Sequence, residues 1–425
     1  MRLANLQDVL RWRLCVGCGA CAYLSDGAIA MTDDASLGHR PSWPEGELPG
    51  MLDECLKVCP AVGTGAAHLT STGQTLGGAT AGVGPVLAVW EGHATDQQTR
   101  HLGSSGGVLT ALAAYAVEQG GMHGVLHVAA DRNNPLCNHT VMSHTRDELL
   151  ARTGSRYAPA SVCDGLKQIE DAAAPCVFIG QPSEVAALRK AQSLRPALNR
   201  NVGVVLSFFC AGSPATQGTL DLLASKGIEP SRVSQIRYRG RGWPGTFAVW
   251  LKGESEPALE LTYAESWGFI QAYRPWAVQL WPDGLGELAD IACGDAWCRD
   301  APCASPGSSL VIVRTMAGQT LLNAAMAAGY LALTRSDVAK VVESQRNLMR
   351  KKGAAWGRLM SMRILGLPTP SHRGYDLFGS WIRLPIRDKL RSTVGTFRRV
   401  LTRKYHIPES MPTPRTPSDP RSPKT

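Results

Sequence analysis

Short runs of apolar residues separated by turn-forming residues recur along the middle of this chain. Two helical patterns, Val108–Gln119 and Asp337–Leu365, alternate with these runs, and the second is rich in Arg, Lys and Met. Short apolar runs of this kind are typical of buried β-strands, and the predicted strands are Val86–Trp90, Gly124–Ala130, Cys176–Gly180, Gly203–Phe209 and Leu310–Arg314. The alternation of strands and helices predicts the α/β fold class, with a mixed-sheet α/β body.

Changes in composition divide the chain into five parts. We expect a cysteine-bearing segment with a Gly- and Ala-rich linker over 1–85, two parts of one α/β body over 86–170 and 171–335, a helical extension over 336–372, and a basic, Pro- and Ser-rich tail over 373–425. The Gly82-Val83-Gly84 tripeptide in the linker echoes a dinucleotide-binding loop, but no helix follows it. A linker is the better interpretation.

The length of 425 residues allows two or three domains with a sizeable core. The first fourteen residues contain no apolar run long enough for a signal peptide, and no segment reaches about 18 consecutive apolar residues, the length of a membrane span. We therefore expect a cytoplasmic protein. In a chain of this size, twelve cysteines indicate metal ligands and buried thiols rather than disulfides.

The positive charge of the chain is concentrated at its C-terminal end. Residues 373–425 carry twelve Lys or Arg and four Asp or Glu, so this part holds +8 of the net charge of +9. Within Arg383–Lys404, apolar residues recur at helical spacing, which suits a basic amphipathic helix on an anionic membrane or an acidic partner. A solvated basic extension is the alternative. The remainder, Ile407–Thr425, has the composition of a disordered segment, and no feature of the chain indicates nucleic-acid binding.

The most informative motif is Cys15-Val-Gly-Cys18-Gly-Ala-Cys21, followed later by Cys59-Pro60. Three thiolates at two-residue spacing can wrap three corners of a [4Fe-4S] cube, and a distant Cys-Pro supplies the fourth. One triplet with one separated Cys-Pro predicts a single cluster.

Two alternatives to this ligand set remain open on the sequence. Zinc prefers two Cys-x-x-Cys pairs, which an interleaved triplet fits poorly. Cys55 lies four residues before Cys59 and is either the fourth ligand or a spare thiol. We favour Cys59 because a proline follows it.

A Gly-Ser loop, Gly103-Ser104-Ser105-Gly106-Gly107, precedes the first predicted helix. The backbone N–H groups and the positive dipole end of a helix N-terminus suit a phosphate group. A generic tight turn explains the loop nearly as well.

Taken together, these motifs resemble the beta subunit family of coenzyme F420 hydrogenases and dehydrogenases, which includes ferredoxin-dependent chlorophyll-pathway reductases. The resemblance extends over roughly residues 10–370 and rests on the shared order of several stretches. These are the cysteine motif, the Gly-Ser loop, Gly154-Ser155-Arg156-Tyr157, Phe209-Cys210-Ala211-Gly212, Arg237-Tyr238-Arg239-Gly240-Arg241-Gly242-Trp243-Pro244-Gly245, Ala289-Asp290-Ile291 and Gly294-Asp295-Ala296-Trp297.

The resemblance implies FAD as a second cofactor. The Gly-Ser loop would cradle its pyrophosphate, arginines of the 237–241 stretch would neutralise it, and a tryptophan would cover the isoalloxazine ring. Asp295 would bond a flavin or substrate group, or tie down its own loop. The alternatives are core packing for the tryptophans and solvation for any one arginine. The cofactor-binding candidates are Gly103, Ser104, Ser105, Gly106, Gly107, Ser155, Arg237, Arg239, Arg241, Trp243, Asp295 and Trp297.

The chain departs from the family at positions where some members carry ligands for a second cluster. Ser183, Val278 and Trp281 stand where those members have cysteine, and only Cys210 remains. We therefore expect one cluster, unless Cys293, Cys298 and Cys303 form a substitute site; ordinary free thiols are the alternative.

The sequence thus predicts an iron-sulfur flavoprotein oxidoreductase. Electrons would pass between one [4Fe-4S] cluster, FAD and an organic acceptor or the deazaflavin coenzyme F420, with a ferredoxin-like carrier as a further possible partner. One competing hypothesis is an electron-transfer subunit that docks to a larger redox subunit. The other is a non-redox binding module on the same fold.

Overall fold

The computed structural model describes residues 3–44, 49–65, 78–297 and 306–410, and the structural statements below concern these residues. The strands are β1 (Ala30–Asp34), β2 (Gly38–Ser42), β3 (Gly63–Gly65), β4 (Gly78–Thr80), β5 (Gly84–Val86), β6 (Ala88–Ala94), β7 (Val125–Ala130), β8 (Asn138–Ser143), β9 (Cys176–Gly180), β10 (Val202–Phe208), β11 (Val233–Arg237), β12 (Thr246–Leu251), β13 (Leu259–Thr262), β14 (Ile291–Asp295), β15 (Ser309–Val313), β16 (Leu331–Ser336) and β17 (Ser371–Arg373).

Eight strands form one large mixed sheet, in the order β16-β6-β15-β14-β10-β9-β7-β8. The central strands β7, β9, β10 and β14 run parallel, whereas β8, β15, β6 and β16 pair antiparallel with their neighbours. All five predicted strands belong to this sheet, with ends within four residues of the predicted bounds. The expectation of a mixed-sheet α/β body is confirmed.

Helices cover the sheet and extend the chain beyond it. The predicted helix after the Gly-Ser loop is confirmed, and the predicted helical extension consists of two helices. No helix of the described residues is both long enough and apolar enough to cross a bilayer. The α-helices are Leu6–Arg11, Ala20–Leu24, Pro49–Val58, Gln97–Leu102, Val108–Glu118, Arg146–Ala151, Leu166–Glu170, Pro182–Gln192, Pro196–Asn201, Thr216–Ala224, Tyr263–Ile270, Trp276–Leu280, Met316–Ala327, Val338–Ser344, Arg346–Ile364, Leu377–Ile382 and Ile386–Thr402.

The two faces of the sheet carry separate apolar cores. Successive residues of a strand point to opposite faces, and in β9 Val177 packs in one core while Phe178 packs in the other. The Val108–Glu118 helix covers the Val177 side. The Pro182–Gln192 helix covers the Phe178 side, together with residues of the N-terminal cysteine segment. The cysteine segment is therefore held against one face of the large sheet.

The two ends of the described chain meet in a third core. Leu6 and Val9 pack there with Met362 and Val400, and β3 pairs in parallel with β17. In the predicted basic tail, Leu377–Ile382 and Ile386–Thr402 are helical, so the helix considered for Arg383–Lys404 is present, rather than a wholly solvated extension. The apolar spacing within this region is the physical reason, because it gives a helix a face to bury. The disorder predicted for 407–425 lies almost entirely outside the described residues.

Candidate functional site

The four predicted cluster cysteines lie on two short helices and the loops beside them. Cys21 belongs to the Ala20–Leu24 helix, and the other two cysteines of the triplet lie in the loop before it. Cys59 directly follows the Pro49–Val58 helix. A tight loop and a helix end thus present the four thiols from two sides.

The four thiols lie close enough to influence one another's ionisation. Burial, and after it the neighbouring Cys59 thiol, raises the pKa of Cys15 to about 11. The same two causes raise the pKa of Cys18 well above its usual value. Burial raises the pKa of Cys21, with further contributions from all three other members of the quartet. Buried thiols that share one site cannot all ionise unless positive charge compensates them, and bound iron supplies such charge.

Glycines allow the cysteine loop to fold tightly. Gly17 and Gly19 have φ angles of +74° and +86°, which residues with a side chain rarely adopt. A Cβ at Gly17 would lie 2.8 Å from the carbonyl oxygen of His39, and one at Gly19 would lie 2.6 Å from the amide of Asp164. The Gly17 amide also donates to the Cys15 sulfur at 3.4 Å, the type of bond that tunes iron-sulfur clusters.

A buried lysine that sequence reasoning missed lies beside the quartet. Lys190 is 7% exposed, and its Nζ donates to the carbonyl oxygens of Cys59 at 2.6 Å and Gly63 at 3.0 Å. Burial lowers the pKa of Lys190, while the thiols of Cys59 and Cys18 oppose that change. The only sequence signal was that Arg189 and Lys190 interrupt a helix of small and apolar residues.

Cys55 occupies a different environment from Cys59. Its side chain is fully buried, and its thiol donates to the carbonyl oxygen of Cys21 at a sulfur–oxygen distance of 3.8 Å. Burial, followed by the Cys59 thiol, raises the pKa of Cys55 to about 12. Cys59 influences all three thiols of the triplet, whereas Cys55 influences only that of Cys21. These influences agree with Cys59 as the fourth ligand, which stays a prediction.

The cysteine quartet can be compared with the ligand geometry of zinc and of a [4Fe-4S] cube. Among the described residues, no three His, Cys, Asp or Glu side chains are placed to bind one metal ion directly. Zinc needs four ligands within about 2.3 Å of a single point, whereas a [4Fe-4S] cube binds one thiolate at each corner. The cysteine donor set, the glycine turns and Lys190 fit a cubic cluster.

Cys163 and Glu184 also border the cysteine loop, and sequence reasoning identified neither. The Cys163 amide donates to the carbonyl oxygen of Cys18 at 3.0 Å. The Cys163 sulfur donates to the backbone carbonyl oxygen of Glu184 at 3.3 Å. Burial raises the pKa of the Glu184 carboxyl to about 7, although that carboxyl accepts bonds from the amides of Gln181 and Val162 at 2.9 and 3.2 Å. These residues brace the loop from the sheet side.

The positions of the missing second-cluster ligands converge on one small cavity. Ser183, Cys210, Val278 and Trp281 all line it, and Lys351 lies at its edge. Burial lowers the pKa of Lys351 to about 8. The cavity has a volume of about 10 Å³, roughly the room of one water molecule. With one thiol among four positions, this cavity lacks the donors for a second cluster.

The suggested substitute site lies partly outside the described residues. Cys293 is buried in β14 and packs in the apolar core. Burial raises the pKa of its thiol to about 12. Cys298 and Cys303 fall outside the described ranges, so their role stays a prediction.

The segments predicted to bind FAD meet near the N-terminus of the Val108–Glu118 helix. The Ser155 amide donates to Ser104 Oγ at 2.6 Å, and Ser105 Oγ donates to the carbonyl oxygen of Gly294 at 3.3 Å. The amide of Gly242 donates to the carbonyl oxygen of His101 at 2.8 Å. The Gly-Ser loop, the arginine segment (237–245) and the Asp295 turn (294–297) are therefore neighbours. Residues predicted to bind one cofactor have to be neighbours in this way.

The glycines of this loop have a packing role. A Cβ at Gly106 would lie 2.6 Å from the carbonyl oxygen of Gly92, and one at Gly107 would lie 2.7 Å from that of Thr99. A Cβ at Gly103 would lie 2.9 Å from the Cα of Gly107. The tight turn that the sequence left as an alternative is therefore present, and the turn leads directly into the helix.

Arg239 is committed to Asp295. Its Nη1 and Nη2 donate to the two carboxylate oxygens at 2.8 and 2.5 Å, and its Nε donates to the carbonyl oxygen of Pro244 at 2.6 Å. Arg239 is only 4% exposed. The guanidinium fork already faces a carboxylate and a carbonyl, so of the three arginines considered for a pyrophosphate, Arg239 is the one most engaged within the protein, and its role toward FAD stays a prediction. Asp295 accordingly ties down its loop, the second of the two roles considered for it.

The other two arginines differ in their availability. Arg237 lies on β11 and forms an ion pair with Glu260 at 3.2 Å, so its charge is also engaged. Arg241 is exposed and, among the described residues, makes no hydrogen bond or ion pair. Of the three candidates, Arg241 alone is free to meet an anion.

The two candidate tryptophans belong to an aromatic group around the Arg239–Asp295 pair. Trp243 Nε1 donates to an Asp295 oxygen at 2.8 Å, and its ring centroid lies 5.1 Å from that of Trp297. The Trp297 ring also stacks on Tyr263 at 5.6 Å. Both tryptophans are half-buried, so packing, the alternative considered for them, accounts for a large part of their surfaces.

The residues of this region fit FAD in part. Within the described residues, no side chain caps the N-terminus of the Val108–Glu118 helix, and an uncapped helix N-terminus is the kind of position that suits an anion. Arg241 on the adjacent loop provides a positive charge. The fit therefore rests on this helix N-terminus and on Arg241, and Arg239 contributes by holding the Asp295 turn.

Two family models match the body of the chain. Residues 89–167 match the coenzyme F420 hydrogenase/dehydrogenase beta subunit N-terminal model, and residues 175–338 match the C-terminal model of the same family. The matched ranges contain the Gly-Ser loop, the arginine segment and Asp295. They do not include the cysteine quartet.

Individual relatives agree with the family models. The chain is 24% identical to the coenzyme F420 hydrogenase subunit beta of Methanothermobacter thermautotrophicus, over 68% of this chain and 99% of that protein. It is 22% identical to the coenzyme F420-dependent sulfite reductase of Methanocaldococcus jannaschii, over 75% of this chain and 47% of that protein. In fold, it resembles a chain of the F420-reducing [NiFe] hydrogenase complex from Methanosarcina barkeri, with a TM-score of 0.53, 19% identity and coverage of 67% and 95%.

Proposed function

Because the chain belongs to the coenzyme F420 hydrogenase/dehydrogenase beta subunit family, we propose that it is an iron-sulfur flavoprotein that transfers electrons. One [4Fe-4S] cluster would be held by Cys15, Cys18, Cys21 and Cys59. The convergence of these four thiols beside a buried lysine is the single observation that supports the proposal most strongly.

The residues around the quartet would bind the cluster and adjust its charge. The four thiolates would be the ligands. The tight turns at Gly17 and Gly19 would keep the three thiolates of the triplet close to one another. The Lys190 ammonium would offset part of the negative charge of four thiolates, because an opposite charge in a buried site is weakly screened. Hydrogen bonds to sulfur and nearby charge are recognised determinants of cluster potential.

FAD would bind between the Val108–Glu118 helix N-terminus and the loop that carries Arg241. The helix amides and the arginine would orient the pyrophosphate. The buried Arg239–Asp295 pair would keep the adjoining turn in place. When bound, the cluster supplies one-electron transfer and the flavin links it to two-electron reduction of an organic molecule.

The acceptor is proposed from the names of the relatives, which point to the deazaflavin coenzyme F420. A second candidate function is that of an electron-transfer subunit without a substrate of its own, favoured because the matched hydrogenase relative is named a subunit. Turnover of F420 by the isolated chain would support an independent enzyme. Its absence, with cofactors present, would support a subunit of a larger redox assembly.

Anaerobic purification of the full chain is the first test of the cofactors. We expect about four iron and four sulfide per chain, the composition of one cube, and FAD in the extract identified by mass spectrometry. A value near eight would mean that a second cluster exists despite Ser183, Val278 and Trp281. Protein without iron absorbance or flavin would favour the non-redox binding module.

The flavin site is tested by a matched pair of arginine variants. Arg241→Ala is expected to weaken FAD binding about tenfold or more, because it removes a charge-assisted hydrogen bond to the pyrophosphate. Arg237→Ala should leave FAD affinity unchanged, because that side chain is paired with Glu260. Both are measured by FAD titration of the flavin-stripped protein, with iron content as a control. Equal affinities in the two variants would remove Arg241 from the site.

A further inference from the structure

Exposed apolar side chains concentrate near the C-terminal end of the described chain. Of thirteen large apolar residues that are exposed among the described ranges, eight lie between Ile364 and Ile407. Monomeric proteins rarely leave a contiguous group of such residues in water unless it binds something. This part of the chain therefore differs from the rest of the surface.

The Ile386–Thr402 helix separates its residues into two faces. Its inner face packs through small residues, with Ser392 and Thr396 at 2% and 0% exposure. The outer face carries an apolar stripe whose successive members lie four or seven residues apart, and therefore on one side of an α-helix. The exposed fractions of this stripe are 72% for Ile386, 54% for Leu390, 62% for Val394 and 55% for Leu401.

A row of arginines runs along the same exposed side. Arg387, Arg391 and Arg398 lie seven, three and four residues from Val394, which places them within about 60° of this stripe residue at 100° per residue. All three are exposed. None of the three makes a hydrogen bond or an ion pair within the described residues. The outer face thus combines unshielded apolar area with unpaired positive charge.

We propose that the outer face of the Ile386–Thr402 helix binds a membrane surface rich in anionic lipids. The aliphatic stripe would enter the boundary between headgroups and acyl chains, and the arginines beside it would lie at the level of the lipid phosphates. The helix would lie in the plane of the membrane. The inner face would keep its contacts with the Arg346–Ile364 helix.

Other occupants fit this face less well. Residues 411–425 carry three basic residues and one acidic residue, with one large apolar side chain, Met411, so they offer neither opposite charge nor enough apolar area. A second copy of the chain would bring one arginine row against another. The apolar centres of protein interfaces depend on aromatic anchors more than on Leu or Val, and this stripe is aliphatic.

Vesicle co-sedimentation of the full chain tests the proposal. We expect binding to vesicles of equal parts phosphatidylglycerol and phosphatidylcholine, little binding to phosphatidylcholine alone, and weaker binding at high salt. The Leu390→Asp, Val394→Asp double variant should lower the partition coefficient about tenfold or more. The Arg387→Gln, Arg391→Gln, Arg398→Gln triple variant should lower it about fivefold per arginine.

A matched control distinguishes binding through this face from non-specific binding through any exposed apolar residue. Leu194 is 40% exposed and lies two residues after the Pro182–Gln192 helix. Leu194→Asp should leave vesicle binding unchanged. All variants should keep the circular dichroism spectrum and iron content of the wild type, because the altered positions face solvent. Equal binding to both vesicle types, no binding to either, or full retention by the Leu390→Asp, Val394→Asp variant would overturn the proposal. None of these outcomes depends on the proposed electron transfer.

Discussion

Replacing Cys59 with serine is expected to remove most of the iron-sulfur absorbance, whereas Cys55→Ser should leave it largely intact. Cys59 is the thiol whose charge reaches all three cysteines of the triplet. Cys55 is fully buried, and its sulfur is directed to the carbonyl oxygen of Cys21. A serine hydroxyl is a poor substitute for a thiolate ligand, because clusters of this type are held by thiolate sulfur.

The two variants are compared by visible absorbance and iron content after anaerobic purification. They change the same atom type four residues apart, so each is the control for the other. Normal circular dichroism in both would show that loss of iron does not follow from unfolding. A cluster that survives in Cys59→Ser and disappears in Cys55→Ser would move the fourth ligand to Cys55.

Arg239→Ala is expected to lower the free energy of unfolding by about 3–5 kcal/mol, the usual cost of removing one partner of a buried ion pair. The change would leave the Asp295 carboxylate without its forked partner and would free the carbonyl oxygen of Pro244. Although burial opposes the charged form, Asp295 raises the pKa of Arg239. The Arg239 guanidinium therefore stays charged, and its removal would leave the Asp295 carboxylate in a largely buried site without this partner.

Urea unfolding of the cofactor-free chain measures this loss. Arg237→Ala is the matched control, and because its partner Glu260 is 54% exposed, we expect a change of no more than about 1 kcal/mol. Arg239→Ala combined with Asp295→Ala should be less destabilising than the sum of the single variants. Additive effects would show that the two side chains do not interact in solution.

Much of the fold could be predicted from local patterns. Five of the eight strands of the large sheet were predicted as short apolar runs between turn signals, and β9 was predicted with its observed bounds. The order of the strands could not be predicted. The pairing of β6 with both β15 and β16 joins residues more than 200 positions apart, and apolar runs contain no information about their partners.

The cysteine quartet was readable for a different reason. Its two-residue spacing is the one expected for the corners of a [4Fe-4S] cube, so the proposed site could be recognised from local sequence alone. Lys190 lies 131 residues from Cys59, and only the fold brings them together. In the flavin region the sequence identified residues that do meet, but not that Arg239 is paired with Asp295, because ion pairs between distant loops leave no periodic signal.

The meeting of the two chain ends in one core affects the order in which the protein can mature. The cysteines emerge first from the ribosome, but Met362 and Val400, which help to cover their segment, emerge last. At about 5–20 residues per second, the completed cysteine motif waits roughly 20–70 s for these residues. During that interval the thiols are open to oxidants and to iron donors alike. A cluster bound as proposed would therefore enter either before the late helices pack or through a site that they already cover.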